Sequence, residues 1–134
     1  LCVGETLAER ESGLTESIVT RQLQAGLAGL DKQRMNRVAL AYEPVWAIGS
    51  GRAATPEQAV SVHRVLRKLI HDQWNPEVAE TLPILYGGSV TPQNIGRFVS
   101  CGEIDGALVG GACLDPASFA TLANIALTTR TSLG

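Results

Sequence analysis

Four short apolar runs, separated by longer amphipathic stretches, place the tightest limit on what this chain can fold into. Each run is nearly continuous rather than alternating, which is typical of strands buried on both faces of a parallel sheet. The predicted strands are residues 1–3, 38–42, 84–86 and 107–109. Because helical stretches lie between them, the sequence predicts the order βαβαβαβα with right-handed connections over a parallel sheet.

The helices are predicted mainly from their start signals. The four predicted starts are Thr15, Thr55-Pro56, Thr91-Pro92 and Asp115-Pro116. The second is the strongest, because Gln58 can complete a capping box with Thr55 and proline suits the first helical position. Gly102 is predicted to end the third helix.

This alternation predicts an α/β protein, either a barrel or an open doubly wound sheet. Four units of this kind cannot close an eight-stranded barrel. A half barrel leaves two strand edges unpaired and an apolar inner face in water. We therefore expect residues 1–134 to form a single domain that belongs to a longer chain, pairs with a second half, or rearranges.

Composition argues against several classes of partner. The formal net charge of −2 provides no basic surface for nucleic acid or an anionic membrane, and no apolar run approaches the roughly 18 residues of a membrane span. The three cysteines are far apart and lack CxxC spacing, which argues against a disulfide framework or a zinc site. A cytoplasmic protein with reduced thiols is predicted.

Functional residues of such a fold are expected just beyond the carboxyl ends of its strands. Glu43 directly follows the second predicted strand, and an apolar, glycine-containing loop follows Glu43. Such a loop is costly if permanently exposed, so we expect it to close over a ligand. Closure would make Glu43 a stronger base, because loss of water destabilises its charged form. The alternative is a surface glutamate in an ordinary turn.

Two glycine pairs follow the third and fourth predicted strands, at 87–88 and 110–111. Glycine allows backbone amides to approach an anion, and a short helix after the second pair would direct its positive end toward it. A single pair is equally consistent with an ordinary turn. Two pairs at strand ends, together with a strand-end glutamate, are more specific for a phosphate site.

The segments CVGE, AYEPVWAIGSGR-ATPEQA, YGGSV and DGALVGGA resemble the signature segments of the triosephosphate isomerase family, in that family's order and spacing. The AYEPVWAIG segment is highly specific, whereas the glycine-containing segments are weak individually. The resemblance covers essentially the whole chain, from the family's fifth strand to its C-terminal helix. It implies a TIM (β/α)8 barrel, of which this chain supplies the C-terminal half.

The resemblance also implies an activity and its residues. Glu43 would be the base that moves a proton between adjacent carbons of a triose phosphate, interconverting dihydroxyacetone phosphate and glyceraldehyde 3-phosphate through an enediolate. No cofactor or metal is expected. The implied phosphate-binding residues are Gly49, Ser89, Gly110 and Gly111. The implied lid and latch residues are Pro44, Val45, Trp46, Ala54, Tyr86 and Glu5, with residues 44–54 mobile and Glu5 receiving Trp46 on closure. Tyr86 and Ser89 would latch the closed lid through its backbone.

Other implications concern residues around or outside this site. Cys2 would be a buried cysteine packed near the base. The family's catalytic lysine, asparagine and electrophilic histidine come from its first and fourth strands, and His63 and His71 are expected to be surface or half-buried structural residues instead. The family is homodimeric, but another assembly is expected for a half barrel.

Three hypotheses stay open. The first is an isomerase to which this chain contributes base, lid and phosphate site. The second is a catalytically incomplete half barrel that folds or self-associates without activity. The third, which the AYEPVWAIG segment disfavours, is a barrel acting on a different sugar phosphate.

Overall fold

The fold is seen in a computed structural model, which describes residues 1–133. Its centre is a sheet of four strands: β1 (Cys2–Val3), β2 (Leu40–Tyr42), β3 (Ile84–Tyr86) and β4 (Gly106–Ala107). Their spatial order is β1-β2-β3-β4, and each neighbouring pair is parallel. The prediction of an α/β protein with a parallel sheet is confirmed.

Helices connect the strands. The α-helices are α1 (Leu7–Glu11), α2 (Thr15–Gly26), α3 (Lys32–Met35), α4 (Pro56–Gln73), α5 (Pro76–Thr81), α6 (Ile95–Val99) and α7 (Pro116–Thr131). Two short 3-10 helices occupy Val45–Ala47 and Gly111–Leu114. The three short helices α1, α3 and α5 were not predicted, although Thr6, Asp31 and Asn75 cap them as ordinary N-cap residues.

Two of the predicted helix starts are confirmed in detail. At α4, the Thr55 hydroxyl accepts a hydrogen bond from the Gln58 backbone N–H at 3.2 Å, and the Gln58 side chain accepts from the Thr55 N–H at 2.9 Å. At α7, the Asp115 carboxylate accepts from the Ser118 N–H at 2.9 Å. These bonds satisfy backbone donors that a helix start leaves without partners.

The third predicted start is wrong by several residues. The Thr91 N–H donates to the Asn94 side chain at 2.8 Å, which closes a turn before α6 begins at Ile95. This local bond competes with the helix for the same backbone donors. The predicted stop is also wrong, because α6 ends at Val99 and Gly102 does not adopt a left-handed conformation.

Three strands are shorter or shifted compared with the prediction, because a strand extends only where its neighbour can pair with it. β2 begins at Leu40 rather than residue 38, opposite Ile84 at the start of β3. β1 begins at Cys2, opposite Ala41. β4 lies at 106–107 rather than 107–109, since its partners in β3 are Leu85 and Tyr86.

The two faces of the sheet are covered differently. One row across the strands is Val3, Tyr42, Tyr86 and Ala107, and the other is Cys2, Ala41, Leu85 and Gly106. The first row packs into the core formed with the helices, where Tyr42 and Tyr86 have no exposed surface. In the second row Cys2 is exposed, Leu85 and Gly106 are half-buried, and only the small Ala41 is buried. The core therefore lies between the helices and one face of the sheet.

None of the helices within residues 1–133 combines the length and the apolar character needed to cross a membrane.

Candidate functional site

Glu43 lies immediately after β2, where the backbone is still paired on both sides. Its N–H donates to the Val3 carbonyl at 2.7 Å, and the Gly87 N–H donates to the Tyr42 carbonyl at 2.8 Å. The glutamate is half-buried. Continued strand pairing thus fixes the backbone from which this carboxylate projects.

Glycines on the two neighbouring strands leave the space that Glu43 occupies. A Cβ atom on Gly4, just beyond β1, would overlap the Glu43 carbonyl oxygen. A Cβ atom on Gly87, just beyond β3, would lie 2.5 Å from the Glu43 Cγ, closer than real Cβ contacts come. Sequence reasoning assigned Gly87 to an anion site and missed this steric role. The sequence does contain a signal for this role, since Gly4 and Gly87 directly follow the two strands that flank β2.

A cavity of about 450 Å³ opens beside Glu43. The five residues predicted as base and phosphate contacts all line it: Glu43, Gly49, Ser89, Gly110 and Gly111. Its other lining residues are Ile48, Gly51, Gly87, Gly88, Val90, Thr91, Leu108, Val109 and Ala112. Among the described residues, Glu43 is the only ionisable side chain in this lining. Any anion bound there would have to be held by backbone N–H groups and hydroxyls.

The glycine loops around the cavity are locally ordered. The Asn94 side-chain amide donates to the Ser89 carbonyl at 2.9 Å. The short helix predicted after the second glycine pair is present as the 3-10 helix Gly111–Leu114, and the Cys113 N–H donates to the Gly110 carbonyl at 3.0 Å. Glycine therefore lines the cavity, while one side-chain and one backbone hydrogen bond hold the two loops.

Residues 44–54 form a loop over the cavity that is exposed in its middle. Val45 and Ile48 are 52% and 49% exposed, so the middle of the loop presents apolar surface to water. Gly49 and Gly51 have left-handed backbones, with φ of 63° and 72° respectively. By contrast Pro44 and Ala54, at the two ends, are buried.

The first end of this loop is attached to Glu5. The Val45 N–H donates to the Glu5 carbonyl at 3.0 Å, and the Trp46 indole N–H donates to the Glu5 carboxylate at 3.1 Å. The structure thus has the contact between Trp46 and Glu5 that the resemblance implies for a closed lid.

The second end is attached to Tyr86. The Ala54 N–H donates to the Tyr86 hydroxyl at 2.9 Å, and the Tyr86 ring stacks on Phe98 with ring centroids 4.1 Å apart. Burial raises the pKa of Tyr86, so the hydroxyl stays neutral. A Cβ atom on Gly88 would overlap this hydroxyl. Ser89, also predicted as a latch, makes no hydrogen bond to residues 44–54 within the described part of the chain.

Glu5 is the centre of a buried polar cluster. It has no exposed surface, and its Oε1 accepts from the Tyr42 hydroxyl at 3.0 Å, from Arg10 Nη1 at 3.0 Å and from the Trp46 indole. Burial raises the pKa of Tyr42, and the negative charge of Glu5 raises it further. Arg10 and Tyr42 were not predicted as site residues. The available signal was the short spacing of Glu5 and Arg10, which are five residues apart with the N-cap residue Thr6 between them.

The prediction for Cys2 is half wrong. It lies near the base, since partial burial and then the charge of Glu43 raise the pKa of the Cys2 thiol. It is nevertheless exposed rather than buried. The physical reason is that Cys2 belongs to the sheet row that the helices of this chain do not cover.

The two histidines differ from each other. His71 is exposed, as expected. His63 is fully buried, which overturns the expectation of a surface or half-buried residue. It packs edge-on against Tyr42 at 6.2 Å, and its Nδ1 donates to the Glu103 carbonyl at 3.2 Å. Burial lowers the pKa of His63 to about 4. Neither histidine lines the cavity beside Glu43.

Comparison with known proteins relates these residues to one family. The sequence model described as triosephosphate isomerase matches residues 1–126. A triosephosphate isomerase of Solibacter usitatus is 51% identical over 92% of this chain and 50% of the relative. The triosephosphate isomerase of Dictyoglomus thermophilum is 52% identical over 88% of this chain and 47% of the relative. That of Cupriavidus necator is 53% identical over 92% of this chain and 50% of the relative. The chain spans about half the length of the curated relatives it matches.

Proposed function

This chain belongs to the triosephosphate isomerase family, and we propose that it contributes the base, the lid and the phosphate site of such an isomerase. One observation carries the proposal. Glu43 and the predicted phosphate contacts, which are separated by up to 68 residues (111 − 43), line one cavity. A carboxylate beside an uncharged, glycine-lined pocket suits a small phosphorylated substrate whose reacting carbons must reach a base.

The proposed mechanism is proton transfer by Glu43. The carboxylate removes a proton from the carbon next to the substrate carbonyl, which gives an enediolate, and then returns a proton to the adjacent carbon. The hydroxyl proton of the first carbon moves to the oxygen of the former carbonyl, so that the carbonyl group changes places. The backbone around Gly110 and Gly111 holds the phosphate and so fixes which carbons face the base. Residues 44–54 exclude water from the cavity, which strengthens the base and protects the enediolate. No cofactor takes part in these steps.

We propose that the four βα units form a single domain that is half of a TIM barrel. The glycine loops favour the C-terminal half, because the phosphate site of this fold follows its seventh and eighth strands. The uncovered row with Cys2 and Leu85 is the face that would line the barrel interior. The family's lysine, asparagine and histidine would then come from the other four units. A cytoplasmic, homodimeric enzyme of glycolysis is the corresponding whole protein.

A complementation experiment tests two parts of the proposal, that Glu43 is the base and that this chain is the C-terminal half of the barrel. This chain would be combined with the first half of the Cupriavidus necator relative, and isomerase turnover would be measured. Activity with the first half, and none with the relative's second half, is expected. Glu43→Gln should then lower kcat by about 10³-fold while phosphate still binds, since only the proton acceptor is lost.

A matched control is Glu80→Gln, which changes an exposed glutamate outside the cavity and should leave turnover within a factor of about two, as for most surface changes. Turnover retained by Glu43→Gln would contradict the assignment of the base.

A second candidate is a half barrel that self-associates without activity. The observation that favours it is the half-covered sheet face, together with the outer edges of β1 and β4, which pair with no other strand among the described residues. Open edges and apolar faces promote pairing between chains. Sedimentation of the purified chain as a compact monomer would count against this candidate.

A further inference from the structure

We propose that Arg10 is a positioning residue for the lid, acting on Trp46 from the face of its ring while it also holds the carboxylate bound to the indole N–H. The guanidinium carbon of Arg10 lies 5.1 Å from the centroid of the Trp46 ring, and its Nη1 donates to Glu5 Oε1 at 3.0 Å. The inference rests on the proposed function, because it takes residues 44–54 to be the lid of that site.

The two contacts of Arg10 restrain different motions of the indole. A cation within about 6 Å of the ring centroid is attracted to its face, and Trp gives the strongest such interaction. The Glu5 carboxylate holds the edge of the same ring through the indole N–H at 3.1 Å. Trp46 is therefore fixed both in the plane of the ring and perpendicular to it.

Arginine suits this position better than lysine. Its flat guanidinium can stack on an aromatic ring and donate to a carboxylate at the same time, whereas an ammonium acts as a single compact charge. The Arg10 side chain is only 23% exposed, so both contacts are partly shielded from water. The short helix α1 fixes its place, since the Arg10 N–H donates to the Thr6 carbonyl at 3.0 Å.

Charge balance makes Arg10 necessary for the Glu5 anchor. Glu5 Oε1 accepts three hydrogen bonds, while its buried Oε2 has no partner among the described residues. Arg10 is the only cation paired with Glu5 within residues 1–133. A buried carboxylate without its cation is strongly disfavoured and moves toward water. Loss of Arg10 would therefore release Trp46 and shift the lid away from its attached position.

Arg10 would do this without touching the substrate. It does not line the cavity beside Glu43, and it contacts the lid through Trp46, which does not line the cavity either. Its effect on the site is a shift in the population of lid positions.

Fluorine NMR of the full chain labelled with 5-fluorotryptophan tests the inference without requiring catalysis. The chain contains two tryptophans, and Trp74 lies elsewhere, with its indole N–H on the Leu30 carbonyl at 2.9 Å. Trp46→Phe assigns the two resonances. Arg10→Met should raise the detached population of Trp46 about ten-fold, as expected for loss of a partly buried cation–π contact. The Trp46 resonance should move toward its position in the unfolded chain while the Trp74 resonance stays in place.

Two further variants make the result decisive. Arg10→Lys keeps the charge but loses the planar guanidinium that stacks on the indole. The Trp46 resonance should therefore move less than in Arg10→Met but more than in the unchanged chain. Arg34→Met removes an arginine that is 69% exposed and should move neither resonance. An unmoved Trp46 resonance in folded Arg10→Met, or equal movement of both tryptophans, would overturn the inference. Should Arg10→Met unfold, Arg10→Lys decides, and an unmoved Trp46 in that folded variant overturns it.

The outcome is separable from that of the proposed function. An inactive complemented barrel in which Arg10→Met still moves the Trp46 resonance would contradict the isomerase proposal alone. An active barrel in which the Trp46 resonance does not move in Arg10→Met would contradict the role of Arg10 alone.

Discussion

The two flanks of Glu43 are built from different materials. The flank near β1 consists of buried or half-buried polar and aromatic side chains, namely Glu5, Arg10, Tyr42 and Trp46. The flank near β3 and β4 consists of glycine backbone, namely Gly87, Gly88, Gly110 and Gly111. Only the second flank lines the cavity. The difference teaches that side chains hold the loop over the site, while bare backbone leaves room and hydrogen-bond donors for what binds there.

The largest effect is expected on the side-chain flank. Glu5→Ala leaves the Arg10 guanidinium and two neutral donors without their shared acceptor, and should lower the free energy of unfolding by about 3–5 kcal/mol. Urea unfolding followed by circular dichroism would measure it. Glu77→Ala is the matched control, since Glu77 is 73% exposed and pairs with Lys32 at the surface, where such pairs contribute about 0–1 kcal/mol. Equal losses in the two variants would contradict the comparison.

Acid should weaken the same flank through His63, which packs against Tyr42. Its folded pKa of about 4 lies below the unfolded value of 6.5, so the unfolded chain takes up the proton first as pH falls. This contribution to stability is fully present above about pH 6.5 and is lost progressively down to about pH 4. The loss is about 3 kcal/mol at most.

Urea unfolding between pH 7 and pH 4 would measure this slope. His63→Gln removes the titrating group, and its stability should fall less steeply over the same range. Parallel slopes for the two proteins would show that His63 does not cause the loss.

A smaller effect is expected where the loop meets the backbone flank. Tyr86→Phe leaves the buried Ala54 N–H without its acceptor and should cost about 1–2 kcal/mol. Hydrogen exchange of the Ala54 amide should speed up, while that of the Val45 amide, held by Glu5, should not. Faster exchange at both amides would mean that the two ends of the loop are not independently attached.

The smallest effect on stability is expected in the cavity itself. A Cβ atom on Gly110 would meet nothing within 4 Å, so Gly110→Ala should change stability by less than about 0.5 kcal/mol. It should nevertheless weaken phosphate binding about ten-fold, because the new methyl group occupies the space proposed for the anion. Titration with inorganic phosphate would measure this. Gly102→Ala, equally unhindered but outside the cavity, should leave phosphate affinity unchanged.

Sequence patterns predicted the fold best where the determinants are local. The starts of α4 and α7 follow from N-cap residues three positions before their partners, and both are confirmed. The predicted start of α6 was wrong because Thr91 and Asn94 form a turn, which is as local in sequence as a helix cap. The predicted strand ends were wrong because the length of a strand depends on where its neighbour can pair with it, as at Leu40 opposite Ile84.

The candidate site was predictable in its members but not in its geometry. The order of the strand-end motifs was enough to place Glu43 beside Gly110, because carboxyl ends of parallel strands meet at one edge. The steric role of Gly87 depends on the distance between adjacent strands, which a sequence does not state. Arg10 was missed because its partner Trp46 is 36 residues away along the chain (46 − 10), and only the short spacing between Glu5 and Arg10 gave a local signal. The roles of these residues in catalysis stay predictions.

The sequential order of the strands has a consequence for how the chain folds. Each strand pairs with the next one along the chain, so β1 meets β2 through Cys2 and Ala41, and β3 meets β4 through Leu85 and Gly106. Within residues 1–133, each strand finds its partner in the adjacent βα unit. Each pairing closes a crossover of about 20–45 residues, which costs less entropy than pairing with a strand further along the chain would. The sheet can therefore grow one unit at a time from the N-terminal end, in the order in which a ribosome releases the chain.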